Sequence, residues 1–417
     1  MTGDDGPSLA TGQRSLGDPD VSYPLFPPET AGCPATSTDE VQYPLEVDYD
    51  DGAVDPTLFE GRPAPGLERW APLLPPLSAS GLGEGGTPLL AAPDVAEWLD
   101  LDVAVHLKDE SQNPTWSQKD RLVRPIASAA VHEGARGLVV SSSGNHGASV
   151  AAYAARNGLD SVVLTSPKTP PAVQEWIASY GAAVVCVEDP DERRRAVDRL
   201  AAEYGFHPAS TRTPVHTGHP FGPEGYKTIA YEVHAELGVP GTVAVPTCFA
   251  EILYGVWKGF RELDELGIAD GTPQMVACEP AVRAPLAEAM SSGETVVGVD
   301  PAPTEAYSIK ATTSTYRGRV ALEESDGIVA PFSEADLATA NRRLARGGTW
   351  QEDSGAAGFA GLKALVDDGR ADDVEGPVVA VATASGFKDG RSRDGPRVDS
   401  EWSAIREALR AHPDVEL

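Results

Sequence analysis

GLVVSSSGNHGASVAAYAARNGLDSVVLTSP, residues 137–167, decides the fold. Two short apolar runs, GLVVSSS (137–143) and SVVLTSP (161–167), flank an Ala-rich stretch with helical character that starts near Asn145. Strand, helix and strand in so short a segment form the unit that builds parallel sheets. The same alternation continues outward in both directions. DVAVHLK (102–108), AAVVCVE (182–188), TVAVPT (242–247), QMVACE (274–279) and PVVAVAT (377–383) read as further strands. Helical segments lie between them, one running from Ser117 to about His132. The expected class is α/β, with mainly parallel sheets covered by helices on both faces and right-handed crossovers. Residues 121–210 hold three strand–helix units and are expected to form a smaller α/β domain. Residues 1 to about 80 are rich in Pro, Gly and acids. Their first 40 are expected to be a disordered acidic arm, with YPLEVDYD (43–50) the one strand-like patch beyond it.

Composition narrows the function. The 417 residues carry 33 Lys+Arg and 63 Asp+Glu, a formal net charge of −30. Such a surface repels a phosphate backbone, so no nucleic-acid partner is expected. The acidity is Lys-poor, with only eight lysines. That pattern fits a halophilic protein, whose self-repulsion is quenched by salt, and loss of the fold in low salt is expected. Four cysteines, at 33, 186, 248 and 278, match no zinc or redox spacing. No basic and apolar leader opens the sequence, and no apolar run reaches the roughly 20 residues needed to span a bilayer. A soluble cytoplasmic protein without a membrane partner is expected.

In open α/β sheets, ligands bind at the carboxyl ends of strands, and four polar turns lie there. In HLKDESQNPTWSQKDR (106–121), Ser117 and Asp120 resemble a capping box, which puts Lys119 in the first turn of a helix. The positive helix end and burial are expected to lower its pKa and make it a Schiff-base former. A surface lysine is the alternative. In SSSGNHG (141–147), backbone N–H groups at a helix start, with Ser142, Ser143 and Asn145, suit an anion; a capped turn is the alternative. VPTCFAEILYGVWKGF (245–260) is a third strand–turn–helix, with Thr247 and Cys248 in its turn. In VATASGFKDG (381–390), Thr383 and Ser385 end a strand with hydroxyls. Three patterns carry little. Gly81, Gly83 and Gly86 satisfy G-x-G-x-x-G, but no strand precedes them and Pro88 follows. His207, His216 and His219 are too loosely spaced for zinc, and no metal is expected. No G-x-S-x-G elbow occurs.

Together the segments YPLEVDYD, RWAPLLP, LGEGGTPLL, KDESQNPTWSQKDR, SSSGNHG, EGYKTIAYE, VWKGF and TASGFKD resemble, in order, the pyridoxal-phosphate enzymes of the second fold type. This is the tryptophan synthase β-like superfamily, and within it the chain is most similar to the threonine synthases. The resemblance implies two three-layer α/β/α domains with pyridoxal 5'-phosphate in the cleft between them. Residues 41–120 with 211–417 would form the large cofactor domain. Lys119 would carry the cofactor and act as catalytic base. Asn145 would bond the cofactor's phenolic oxygen, the turn Thr247, Cys248, Phe249, Ala250 and Glu251 its phosphate, and Thr383 would face its pyridine nitrogen. Ser142, Ser143 and Gly144 would hold the substrate carboxylate, and Thr87, Lys108 and His146 would lie near the substrate. A lyase is implied, one that eliminates from the β or γ carbon of an activated amino acid such as O-phosphohomoserine, with or without water addition. A homodimer is expected on the same ground.

The sequence departs from the family in places. Gly222 stands where threonine synthases carry an Arg for the substrate phosphate. GNHG reads as in serine and threonine dehydratases and diaminopropionate ammonia-lyases. Cys248, Phe249 and Ala250 replace a Gly-rich turn, and Gln118 replaces a Phe. A deaminase of that kind and a cofactor-free binding paralogue are therefore the alternatives.

Overall fold

In the computed structural model, which describes residues 8–388 and 395–411, the chain opens with three antiparallel strands. They are β1 (Ala10–Ser15), β2 (Ser22–Tyr23) and β3 (Leu45–Tyr49). This corrects the disordered arm expected over residues 1–40, whose first seven lie outside the described residues. Specific long-range pairs, invisible to composition, order the rest. Gln13 donates through Nε2 to the carbonyls of Pro24, Leu25 and Pro27. Arg14 pairs with Glu46 at 2.7 Å and Asp48 at 3.0 Å.

Next come β4 (Leu89–Ala91), α1 (Pro93–Leu99), β5 (Val105–Asp109) and α2 (Lys119–His132). A second run follows: β6 (Gly137–Ser141), α3 (Asn145–Arg156), β7 (Asp160–Thr165), α4 (Pro171–Ser179), β8 (Ala183–Cys186), α5 (Pro190–Tyr204) and β9 (Phe206–Pro208). These four strands form a parallel sheet in the order β8-β7-β6-β9. The chain continues with α6 (Gly222–Leu237), β10 (Thr242–Pro246), α7 (Glu251–Glu265) and β11 (Gln274–Pro280). Then come α8 (Pro285–Ser292), α9 (Tyr316–Glu323), β12 (Ile328–Phe332), α10 (Glu334–Arg346), α11 (Ala357–Asp367), β13 (Val378–Ala382) and α12 (Trp402–Arg410). The large sheet runs β12-β11-β10-β13-β5-β4, parallel except for β4 against β5. Its central strands TVAVP and VVAVA are buried throughout, as strands covered on both faces must be.

Close helix contact sets the frame of the site. Gly225 of α6 lies so near α2 that a Cβ there would stand 1.8 Å from the Arg121 carbonyl oxygen. Gly225→Ala is expected to lower stability by about 1–3 kcal/mol through overpacking, read as a lower melting temperature. An unchanged melt would show that α2 and α6 can part freely. A buried ion cluster docks β3 onto α6 and α7. Lys258 pairs with Glu224 at 2.7 Å and donates to the Val47 carbonyl at 2.8 Å. Lys227 pairs with Glu224 and Glu262, both at 2.8 Å. Glu46 accepts from Tyr254 at 2.7 Å and Arg261 at 2.9 Å. The YPLEVDYD, EGYKTIAYE and VWKGF segments thus meet in one structural cluster. Among the described residues no helix is long and apolar enough to cross a membrane.

Candidate active site

Lys119 is the first residue of α2. No capping box precedes it. Gln118 stands at the cap position with helical backbone and no side-chain cap bond. Asp120 instead accepts from the N–H and hydroxyl of Thr115 at 2.6 and 2.7 Å and from the Ser149 hydroxyl at 2.7 Å. That pins the start of α2 to α3. The N–H of Gln118 donates to the Thr383 carbonyl at 3.0 Å, so the end of β13 fixes the residue beside Lys119. The lysine is half-buried, and its ammonium lies 5.6 Å from the centre of the Tyr226 ring.

The lowered pKa expected for Lys119 is not what the surroundings produce. Burial does push it down, but Tyr226 and the Glu251 carboxylate outweigh that, and the net direction is upward. The same burial raises the Tyr226 hydroxyl to about 12. It also pushes His146 down to about 3, helped by the nearby Lys119 charge. His146 is therefore a neutral hydrogen-bonding group at working pH, not a base.

The turn after β10 runs as expected from strand to helix start. The Thr247 N–H is used by the Cys278 carbonyl at 2.9 Å, which leaves residues 248–251 to offer donors at the N-terminus of α7. Ala250 takes the left-handed conformation at φ 58°, a place that favours glycine. Burial raises the Cys248 thiol to about 11. Glu251 opens α7 with a carboxylate 3.5 Å from His216 Nε2. Burial pushes that carboxyl up, but His216, Lys119 and Arg317 hold it well below the ordinary range.

A cavity of about 330 Å³ opens at the N-terminus of α3; Lys119, residues 247–251 and Thr383 are not part of its wall. Its wall includes Ser143, Gly144 and Asn145, with Trp176, Tyr307, Glu352, Ser354 and Lys388 around them. Ser142 does not line it; its hydroxyl accepts from the N–H groups of Gly144 and Gly147 at 3.3 and 3.0 Å and so caps α3. Sequence reasoning left Lys388 and Glu352 unassigned. Both bond Asn145, at 2.7 and 3.0 Å. Lys388 stood within a quoted motif and was the findable one; nothing around Glu352 marked it.

Thr87 and Lys108 are corrected as substrate contacts. Both are buried in an ion network. Lys108 pairs with Glu232 at 2.7 Å, Arg121 joins Glu232 at 2.6 Å to Glu110 at 2.7 Å, and the Thr87 hydroxyl donates to Glu110 at 2.6 Å. Of the three histidines, His207 lies 2.9 Å from Glu133 and 2.9 Å from His219, while His216 stacks on Phe249 with centroids 4.2 Å apart.

The residues present suit a bound polar group. Buried atoms without a hydrogen-bond partner include Ser117 Oγ and Gln118 Oε1, on the two residues before Lys119, and Nε2 of His146, which feels the Lys119 charge. Orphaned buried polar atoms are costly, and a bound polar group would satisfy them. A lysine at a helix start, an N–H-rich turn and hydroxyls at the end of β13 are the groups that the carbonyl, phosphate and ring of pyridoxal phosphate would need. Fold and site thus define a pyridoxal-phosphate-dependent α/β enzyme. The family model described as pyridoxal-phosphate dependent enzyme matches residues 81–384, and the chain belongs to that family. It is 32% identical to the threonine synthase of Mycobacterium bovis over 313 residues, 73% of this chain and 82% of that one. It is also 32% identical to the threonine synthase of Synechocystis over 361 residues, 84% and 88% of the two chains. The structure of maize serine racemase superposes with a TM-score of 0.62 at 18% identity, covering 78% of this chain and 92% of that one.

Proposed function

We propose that this chain is a threonine-synthase-like lyase that eliminates a leaving group from the β or γ carbon of an activated amino acid, with O-phosphohomoserine the first substrate to test. The observation that carries the reading is the half-buried Lys119 at the start of α2, with unpartnered buried polar atoms on the adjoining Ser117 and Gln118. The cofactor, when bound, supplies the electron sink for carbanion chemistry. Lys119 would hold it, and its Nζ would take and return the proton at the substrate Cα. The N-terminus of α3 receives the substrate carboxylate at residues 143–145. Asn145 and Thr383 orient the ring, and residues 248–251 hold the phosphate. Neutral His146 offers a hydrogen bond without adding charge. A homodimer in a cytoplasmic, high-salt setting completes the proposal.

One observation favours a second reading, a deaminase of serine, threonine or a diamino acid. Gly222 sits where related sequences carry a phosphate-binding Arg, and a Cβ there would already stand 3.0 Å from Leu122 Cδ1. A larger side chain there would press on Leu122 and Ile126 of α2. The test is product analysis. Phosphate and threonine from O-phosphohomoserine support the first reading; ammonia and a keto acid from serine, threonine or diaminopropionate support the second. Neither product from any of these substrates contradicts both.

A further inference from the structure

We infer that Lys388 and Glu352 are positioning residues: they fix the amide of Asn145 so that its one remaining N–H is left for an oxygen of the ligand in the cavity it lines. The inference rests on the cofactor-binding reading above and extends it to two residues outside that reading.

The argument is one of donors and acceptors. Lys388 Nζ donates to Asn145 Oδ1 at 2.7 Å, and Asn145 Nδ2 donates to Glu352 Oε2 at 3.0 Å. An ammonium only donates and an ionised carboxylate only accepts. Rotating the amide by half a turn would set NH₂ against the ammonium and C=O against the carboxylate. Both charge-assisted bonds would be lost, so the orientation is over-determined. The amide nitrogen carries two protons, and Glu352 takes one. Asn145 is buried to 7% exposure yet lines the cavity, so the second proton is the donor available to a ligand oxygen.

The clamp spans the molecule. Asn145 opens α3, which follows a strand of the four-stranded sheet. Glu352 lies before α11, and Lys388 follows β13 of the six-stranded sheet. The two bonds join residues 207 and 243 positions apart. The Trp176 ring of α4, 5.6 Å from Lys388 Nζ, flanks the ammonium. The direction of the Asn145 donor therefore depends on how the two sheets sit together.

The test is a titration of each purified protein with pyridoxal phosphate, followed by visible absorption and by quenching of protein fluorescence. Lys388→Met and Asn145→Ala are each expected to weaken cofactor binding by about tenfold and to shift the visible band. The double variant should match Asn145→Ala alone, because without the amide there is nothing to orient. Glu352→Leu should weaken binding as Lys388→Met does, whereas Glu352→Gln, which still offers an acceptor, should stay within about twofold of the parent. Losses that add in the double variant, or parental affinity and spectrum in both Lys388→Met and Glu352→Leu, would overturn the clamp. Melting curves of the cofactor-free variants separate misfolding from misorientation. A parent protein that binds no cofactor at all would overturn the functional reading itself, and the clamp with it.

Discussion

Replacing Lys119 by alanine is expected to abolish turnover, by at least about 10³-fold, because the group that holds the cofactor and moves the Cα proton is one and the same. The fold should survive. Lys119 is half-buried and pairs with no carboxylate within ion-pair distance among the described residues. Its upward pKa, set by Tyr226 and Glu251 against burial, means that the ligand-free enzyme carries a charged lysine. The amine therefore has to lose a proton before it can attack a carbonyl, and slow cofactor loading that speeds up with pH is expected of the parent protein. Turnover in Lys119→Ala near the parental rate would remove the central residue from the mechanism.

The second large effect is on stability. Glu232→Ala is expected to cost about 3–5 kcal/mol, since it leaves buried charges without their partner. Glu232 is bonded to Lys108 at 2.7 Å, to Arg121 at 2.6 Å and to the Gly86 N–H at 2.8 Å. None of the three side chains is more than 1% exposed. A fall of roughly 3–6 °C in melting temperature follows for a chain of this length. The exposed pair Arg199–Glu203, at 3.1 Å, is the control, and Glu203→Ala should change stability by less than about 1 kcal/mol. Burial alone would raise the Glu232 carboxyl, but Arg121 and Lys108 hold it below its ordinary value. A carboxyl depressed in the folded state stabilises above its unfolded pKa. That contribution disappears as pH falls through the depressed value, so the network should give way in acid, not in base. A Glu232→Ala melt within about 2 °C of the parent would contradict this picture.

The expected strands from 102 to 383 all formed; the central ones are short apolar runs that a covered sheet satisfies, while β8 formed at an exposed sheet edge. β4, β9 and β12 went unread: β4 and β9 have three residues each, and β12 ends in Pro331 and Phe332. The ordering of residues 8–40 escaped for a different reason. Gln13 and Arg14 reach partners that no local pattern reveals. The positions of Lys119, Asn145 and the turn after β10 at helix starts were legible because strand–turn–helix junctions announce themselves. Lys108 misled because a charged residue at a strand end reads as a ligand contact, whereas here Glu232, from a helix 124 residues onward, claims it. Glu352 was illegible, since its role exists only once two sheets meet.

The visible spectrum of the purified protein in high salt, recorded before and after borohydride, tests the central claim most directly. The expected result is an absorption band that bleaches on reduction and leaves pyridoxal phosphate covalently attached at Lys119. No band, even after the cofactor is added, would contradict the claim and leave a binding protein built on this family's fold.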